Sequence, residues 1–183
     1  DPTRKILVLS GRKSHLTFLK TNVDKFIQND IANKLLIDNE YQTHFYTGDL
    51  TQDERYDAEK NADILFATYD MAHEGLDIER LNTVILSTPK KDVVQSIGRI
   101  LRRVLENGDT RPLVIDICDK LSIFVNQGLA REKIYSQNEY IQHFYYLVDD
   151  KFVSPKQYLE IIGEQSHCNN INVPENYNEV LSV

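Results

Sequence analysis

Short apolar runs separated by amphipathic stretches set the rhythm of this chain. Lys5–Ser10 (KILVLS) is continuously apolar rather than alternating, as expected of a strand covered on both faces. Gly11-Arg12 ends it, and from Ser14, a plausible cap, Leu16, Leu19, Val23, Phe26 and Ile27 repeat at helical spacing. Asn29-Asp30 is expected to divide this helix from a second piece holding Ile31, Leu35 and Leu36. Gln42–Tyr46 predicts the second strand, TGDLT a turn, and Gln52–Asn61 a short polar helix. Asp63–Thr68 and Thr83–Ser87 predict the third and fourth strands, with Pro89 marking the exit of the latter. Val93–Leu105 predicts a helix and Pro112–Ile117 the fifth strand. Strands alternating with helices in this way predict an α/β fold with a covered parallel sheet.

In that architecture ligands sit at the carboxyl ends of the strands. Here those ends are Ser10-Gly11-Arg12, Tyr46-Thr47-Gly48, Thr68, Ser87 and the residues after Asp116, and four of the five carry small or hydroxylated residues. Beyond Asp119 the texture changes. Leu121–Tyr135 looks helical, Asn138–Val148 is rich in aromatics, and Lys156–Gly163 is a further short helix. The expected division is therefore a first domain over 1–119, a helical, aromatic-rich extension packed on it over 120–165, and a polar tail over 166–183.

Composition narrows the function. The chain has 183 residues, which allows one ordinary domain plus an appendage. Its net charge of -7 argues against holding nucleic acid through a broad basic face, but leaves room for a few directed contacts beside a partner that supplies the rest. Two distant cysteines, Cys118 and Cys168, predict a reduced, intracellular protein without a disulfide framework. No apolar run is long enough to predict a membrane span. The chain enters its first strand almost at once and lacks a Met at residue 1, so a domain excised from a longer chain is expected.

Candidate chemistry concentrates between Ala67 and Arg102. Its last part, QSIGRILR, brings together Gln95, Gly98, Arg99 and Arg102, and two arginines three apart on a helix point in similar directions. In an acidic protein such a pair reads as a grip on an anion, and phosphoryl transfer uses arginines where negative charge develops. Ordinary surface arginines are the plain alternative. Asp77 follows Gly75-Leu76 in a turn where an acid could accept bonds from ribose hydroxyls; a helix cap explains it equally well. His73 and Glu74 have no second ligand at metal spacing, so no zinc is expected. Gly11–Ser14 (GRKS) lacks the leading glycine and spacer of a phosphate loop, and no strand ends in a tandem acidic pair for magnesium. Cys118 reads as the end of a core strand rather than a catalytic thiol, and the aromatics at 140–146 as packing rather than base stacking.

The ordered set Ser10-Gly11-Arg12, Tyr46-Thr47-Gly48-Asp49, Gln52 and Arg55, Ala67-Thr68, Gly75-Leu76-Asp77 and Gln95–Arg102 closely resembles the second RecA-like domain of superfamily 2 helicases over about residues 4 to 118. Within that superfamily the texture around VILSTPKKDVVQSIGRILR and DICDKLSIFVNQGLAREKIY is similar to phage and large-DNA-virus helicases, including the poxvirus transcript-release helicase and its African swine fever virus counterpart. The resemblance implies that Arg99 and Arg102, with Gln95 and Gly98, reach the phosphates of ATP, and that Gly75 and Asp77 meet its ribose. It implies that Ser10, Gly11, Arg12, Thr47, Gly48, Gln52, Arg55 and Thr68 approach the nucleic-acid backbone. Such contacts read backbone rather than base.

Leu101 stands where many members have glycine, which suits the broader helicase group better than its RNA-remodelling subgroup and favours DNA slightly over RNA. The resemblance further implies that ATP and magnesium bind in a cleft whose other wall is an absent N-terminal RecA-like domain carrying the phosphate loop and metal ligands. The fragment alone is then expected to be monomeric and without ATPase activity. A viral origin would place it with transcription machinery in the cytoplasmic factory of the host cell and in the virion. The competing expectation is a stand-alone binding or scaffold domain of the same fold.

Overall fold

A computed structural model of the chain describes residues 3–36, 41–74, 78–91, 93, 98, 108–119 and 123–165. Five strands, β1 (Ile6–Ser10), β2 (Thr43–Tyr46), β3 (Ile64–Thr68), β4 (Thr83–Leu86) and β5 (Leu113–Asp116), form one sheet in the order β2-β3-β1-β4-β5. Every pairing is parallel, so the α/β sheet anticipated from the unbroken apolar runs is present. The first strand lies at the centre, flanked by β3 and β4. That is where a run such as ILVLS belongs, since helices cover both of its faces.

The two faces have different cores. On one, Val8 and Phe66 meet Leu16, Leu19 and Val23 of α1 (Lys13–Ala32), with Ile6, Phe45, Ile64 and Ile85 beside them. On the other, Leu7, Leu9, Leu65, Val84 and Leu86 pack with Ala58 and Ala62 at α2 (Gln52–Asn61) and with Tyr69 and Ala72 of α3 (Tyr69–Glu74). Tyr135 of α4 (Ile123–Gln137) joins this second core. Both faces of the sheet are therefore covered by helices.

Helix α1 departs from its sequence reading in three ways. Ser14 is not its cap: Arg12 holds that position with an extended backbone and makes no capping bond through its side chain. Asn29-Asp30 does not break it, because the low helix propensity of two such residues costs only about 1 kcal/mol together. The buried face of Leu16, Leu19 and Val23 outweighs that. The helix instead ends after Ala32, where Lys34 turns left-handed (φ 58°) and the Leu35 N–H returns to the Asp30 carbonyl at 2.8 Å. Phe26, expected on the packed face, is 69% exposed. Helix α2 falls on the residues its pattern predicts because Thr51 and Glu54 form a reciprocal capping box.

The chain divides into two compact units at residue 137/138, not at 119/120. Helix α4 goes with the sheet because Arg131 ties it to Asp116 at the end of β5, as described below. The second unit is not purely helical. Tyr146–Val148 (β6) and Lys151–Val153 (β7) pair antiparallel through a turn in which Asp149 and Asp150 are both left-handed (φ 46° and 60°), followed by α5 (Pro155–Gln165). Tyr146 stacks on Tyr158 of α5 with ring centroids 4.1 Å apart, so part of the aromatic stretch is packing within this unit. No helix among the described residues is long and apolar enough to cross a membrane.

Phe66 is fully buried in the α1-side core. Phe66→Ala is expected to cost about 3–5 kcal/mol of unfolding free energy. Thr51→Ala, which removes only the cap of α2, should cost about 1 kcal/mol. Urea denaturation of the two variants measures both losses.

Candidate nucleotide and nucleic-acid face

Register brings the strand ends together. Ser10 lies opposite Thr68, Tyr46 opposite Ala67, and Leu9 opposite Leu86. One step further along, Thr47, Thr68, Ser10 and Ser87 stand side by side across β2, β3, β1 and β4, about 4.8 Å per strand. The sequence-predicted residues Ser10, Thr47 and Thr68 thus share one edge of the sheet.

Each of these hydroxyls is held. Ser10 is fully buried; its Oγ accepts the Arg12 N–H at 3.2 Å and lies 3.1 Å from His15 Nδ1. Ser87 Oγ donates to the Leu9 carbonyl at 2.6 Å. Thr68 Oγ1 accepts the Met71 N–H at 3.4 Å, at the entry to α3. The Gly11 N–H donates to Thr88 Oγ1 at 2.9 Å, which joins the β1 loop to the loop after β4. Arg12 is exposed, and no ion pair or side-chain hydrogen bond engages its guanidinium among the described residues.

The β2 end is built as a small polar turn. Thr47 is buried, and its hydroxyl donates to Asp49, which also pairs with Lys13 Nζ at 2.9 Å. The Thr47 hydroxyl, Lys13 and the backbone N–H of Asp49 together hold its carboxyl down at about 2. The Lys13–Asp49 pair ties the start of α1 to the β2 turn, so the β1 and β2 ends form one surface. Arg55 does not face outward as a simple phosphate contact would. Its Nε and Nη2 both donate to the Leu50 carbonyl, at 3.1 and 2.9 Å, and so brace the turn that carries Thr47 and Gly48. Gln52 opens α2 and is exposed. On the inner side, Tyr46 donates to Glu59 Oε1 at 2.6 Å; burial and the Glu59 carboxylate push the phenol up to about 12.

The loop after β4 is pinned from several directions. Tyr69 Oη donates to the Thr88 carbonyl at 2.7 Å, and Lys90 Nζ lies 5.3 Å from the centre of the Tyr69 ring. Arg131, 1% exposed, donates through Nη1 to the Lys90 carbonyl at 2.7 Å. Its other nitrogens take Asp116 in a fork, Nε to Oδ2 at 2.7 Å and Nη2 to Oδ1 at 2.8 Å, while Tyr135 Oη donates to Oδ2 at 2.8 Å. Burial, then the Asp116 carboxylate, pushes the Tyr135 phenol up. Burial alone would lower the Arg131 guanidinium, but the bonds and charge of Asp116 outweigh it and hold the group firmly protonated. Cys118 keeps part of its surface exposed, yet desolvation of its sulfur and the nearby Asp116 push the thiol up, away from nucleophilic use.

Gln95, Arg99, Arg102, Gly75 and Asp77 lie outside the described residues; Gly98 is described, half-buried and helical. Among the described residues no group of three or more His, Cys, Asp or Glu is placed to hold a metal ion. Thr88, Tyr69, His15 and Arg131 were not singled out in the sequence. Thr88 stands beside a strand end that was, and so was within reach. Arg131 gives no such signal, because its partner Asp116 is 15 residues away in an unrelated element.

The family model described as "Helicase conserved C-terminal domain" matches residues 2–104. A protein of Acanthamoeba polyphaga mimivirus named "Putative ATP-dependent RNA helicase" is 33% identical over 183 residues, covering 96% of this chain and 31% of its own length. A "Putative helicase" of Invertebrate iridescent virus 6 is 25% identical over 142 residues, covering 75% and 31%. A "Putative ATP-dependent RNA helicase" of African swine fever virus is 31% identical over 81 residues, covering 44% and 16%. The chain thus spans about a third of the length of the first two relatives.

Among solved structures, the C-terminal domain of the DEAD-box protein Dbp5 superposes with a TM-score of 0.54 at 16% identity, covering 88% of this chain and 82% of that one. The DUF1998 helicase MrfA bound to DNA gives 0.50 at 18% identity, covering 70% and 18%. At such identities the likeness speaks for the fold alone, and the fold it shows is RecA-like.

Two measurements check this geometry. Arg131→Met leaves Asp116 buried without its partner and should cost about 3–5 kcal/mol of stability in urea denaturation. The Asp49 carboxyl should titrate near 2 by carbon-detected NMR and move up toward the ordinary carboxylate range in Thr47→Val. Because its folded value lies below the unfolded ~3.9, its favourable contribution is complete above about pH 4 and fades as pH falls toward 2.

Proposed function

We propose, from the premise that this chain belongs to the helicase conserved C-terminal domain family, that it is the second motor domain of an ATP-dependent nucleic-acid helicase. The observation that carries this reading is the shared edge of Thr47, Thr68 and Ser10 beside the unpaired Arg12, next to the loop leading toward Arg99 and Arg102. Hydroxyls, backbone N–H groups and one free guanidinium suit the phosphates of a single strand and carry no base code. Ser10, Gly11, Arg12, Thr47, Gly48, Gln52 and Thr68 would form that track. Arg55 would serve it by holding the Thr47–Leu50 turn in place.

The nucleotide side is shared with another domain. ATP and its magnesium supply the phosphoryl-transfer chemistry. This chain offers arginines for the developing charge, but no phosphate loop and, among the described residues, no metal-ligand cluster. The donor set therefore fits half of a nucleotide cleft. Arg99 and Arg102 would stabilise charge on the transferring phosphoryl group, with Gln95 and Gly98 shaping their approach, and Gly75 and Asp77 would meet the ribose. An N-terminal RecA-like domain in a longer protein would hold the remainder, and the one-third coverage of the viral relatives leaves room for it. Those relatives support a viral protein acting within the host cell, in company with viral transcription enzymes. Two carry RNA helicase in their names, whereas the structurally similar MrfA is bound to DNA.

In the full-length protein, Arg102→Ala should lower nucleic-acid-stimulated ATP turnover by about 10³-fold or more while fluorescent ATP analogues still bind. Turnover close to wild type would remove Arg102 from the catalytic role. Arg12→Ala should weaken single-stranded DNA and RNA about equally across sequences and reduce the salt slope of binding by about one. An unchanged slope would take Arg12 off the backbone track.

A further inference from the structure

Arg131 does more than balance a buried charge. A guanidinium that served only to anchor α4 would need Asp116 and nothing else. Here the fork on Asp116 uses Nε and Nη2, and the remaining nitrogen, Nη1, is spent on the Lys90 carbonyl of the loop after β4. That loop is fixed just before this point, where Thr88 is held by the Gly11 N–H and by Tyr69 Oη. It is fixed again just after it, where Val93 is 1% exposed in the core. Arg99 and Arg102 follow Val93 by six and nine residues.

We infer that Arg131 is a positioning residue: it sets the path by which the chain enters the segment carrying Arg99 and Arg102. It acts from a helix more than 25 residues beyond that segment, and it makes its position depend on the end of β5. This rests on the reading of Arg99 and Arg102 given above. Only a planar fork can meet both partners at once. A lysine in its place could still neutralise Asp116 but offers a single ammonium point. An apolar side chain could fill the volume but would leave the Lys90 carbonyl untied. Tyr135 completes the anchor, since its hydroxyl fixes the same carboxylate oxygen that accepts from Arg131 Nε.

The test uses the full-length protein, with kcat and KM for ATP measured at saturating single-stranded nucleic acid and stability measured in urea. Arg131→Lys should stay folded and lose about 10- to 100-fold in kcat, with KM for ATP within about twofold. The triple variant Arg131→Met/Asp116→Leu/Tyr135→Phe removes every polar member of the anchor. It should recover the stability lost in Arg131→Met alone, as apolar replacement of a whole buried pair can, yet keep the low kcat. Recovery of kcat together with stability would show a purely structural role and overturn the inference, as would wild-type kcat in Arg131→Lys. Arg102→Ala run alongside separates the two claims. Wild-type turnover in that variant sinks the arginine reading and the inference with it. Lost turnover there, beside normal turnover in Arg131→Lys, sinks the positioning role alone.

Discussion

Parallel hydrogen bonding with β1 at the centre is the constraint on which the rest depends. Parallel strands all end at the same edge, and the register of β2, β3, β1 and β4 delivers Thr47, Thr68, Ser10 and Ser87 there side by side. No long-range charge is needed to assemble that surface. It follows from apolar runs of four or five residues that stop at a hydroxyl. The acidic net charge then becomes compatible with nucleic-acid contact, because a few directed donors at a fixed edge do not require a basic face.

Around that edge the polar groups mostly serve one another. Asp49 is shared by Thr47 and Lys13, Arg55 braces the Leu50 carbonyl, and Thr88 receives the Gly11 N–H. Such mutual bonding orders the loops before any ligand arrives, which lowers the entropy lost on binding. Arg12 is the contrast: extended, exposed and uncommitted. At a surface where neighbours are already satisfied, an uncommitted guanidinium is the group left to meet an incoming anion.

Much of the sheet was legible in the sequence because buried parallel strands write themselves as unbroken apolar runs, and KILVLS, DILFAT and TVILS each became a strand within a residue or so. What went unread was tertiary in origin. The apolar face of α1 overrode Asn29-Asp30, a conflict that local propensity decides wrongly. The β6–β7 hairpin hid in an aromatic stretch because its turn is Asp149-Asp150, a weaker signal than Asn-Gly, between strands of only three residues. In the site, the strand-end residues came from pattern and family likeness together. Arg131 and Thr88 did not, since a buried ion pair between a helix and a distant strand leaves no periodicity to detect.

The central place of β1 has a consequence for how the chain is made. Its neighbours β3 and β4 lie about 60 and more than 70 residues downstream, so the first strand synthesised is among the last to be enclosed. At translation rates of about 5–20 residues per second, β1 waits roughly 4–15 s with both hydrogen-bonding edges open. During that interval α1 is the one neighbour able to shield ILVLS, through Leu16 and Val8. The length of α1 therefore matters to a nascent chain on the ribosome as well as to the finished domain.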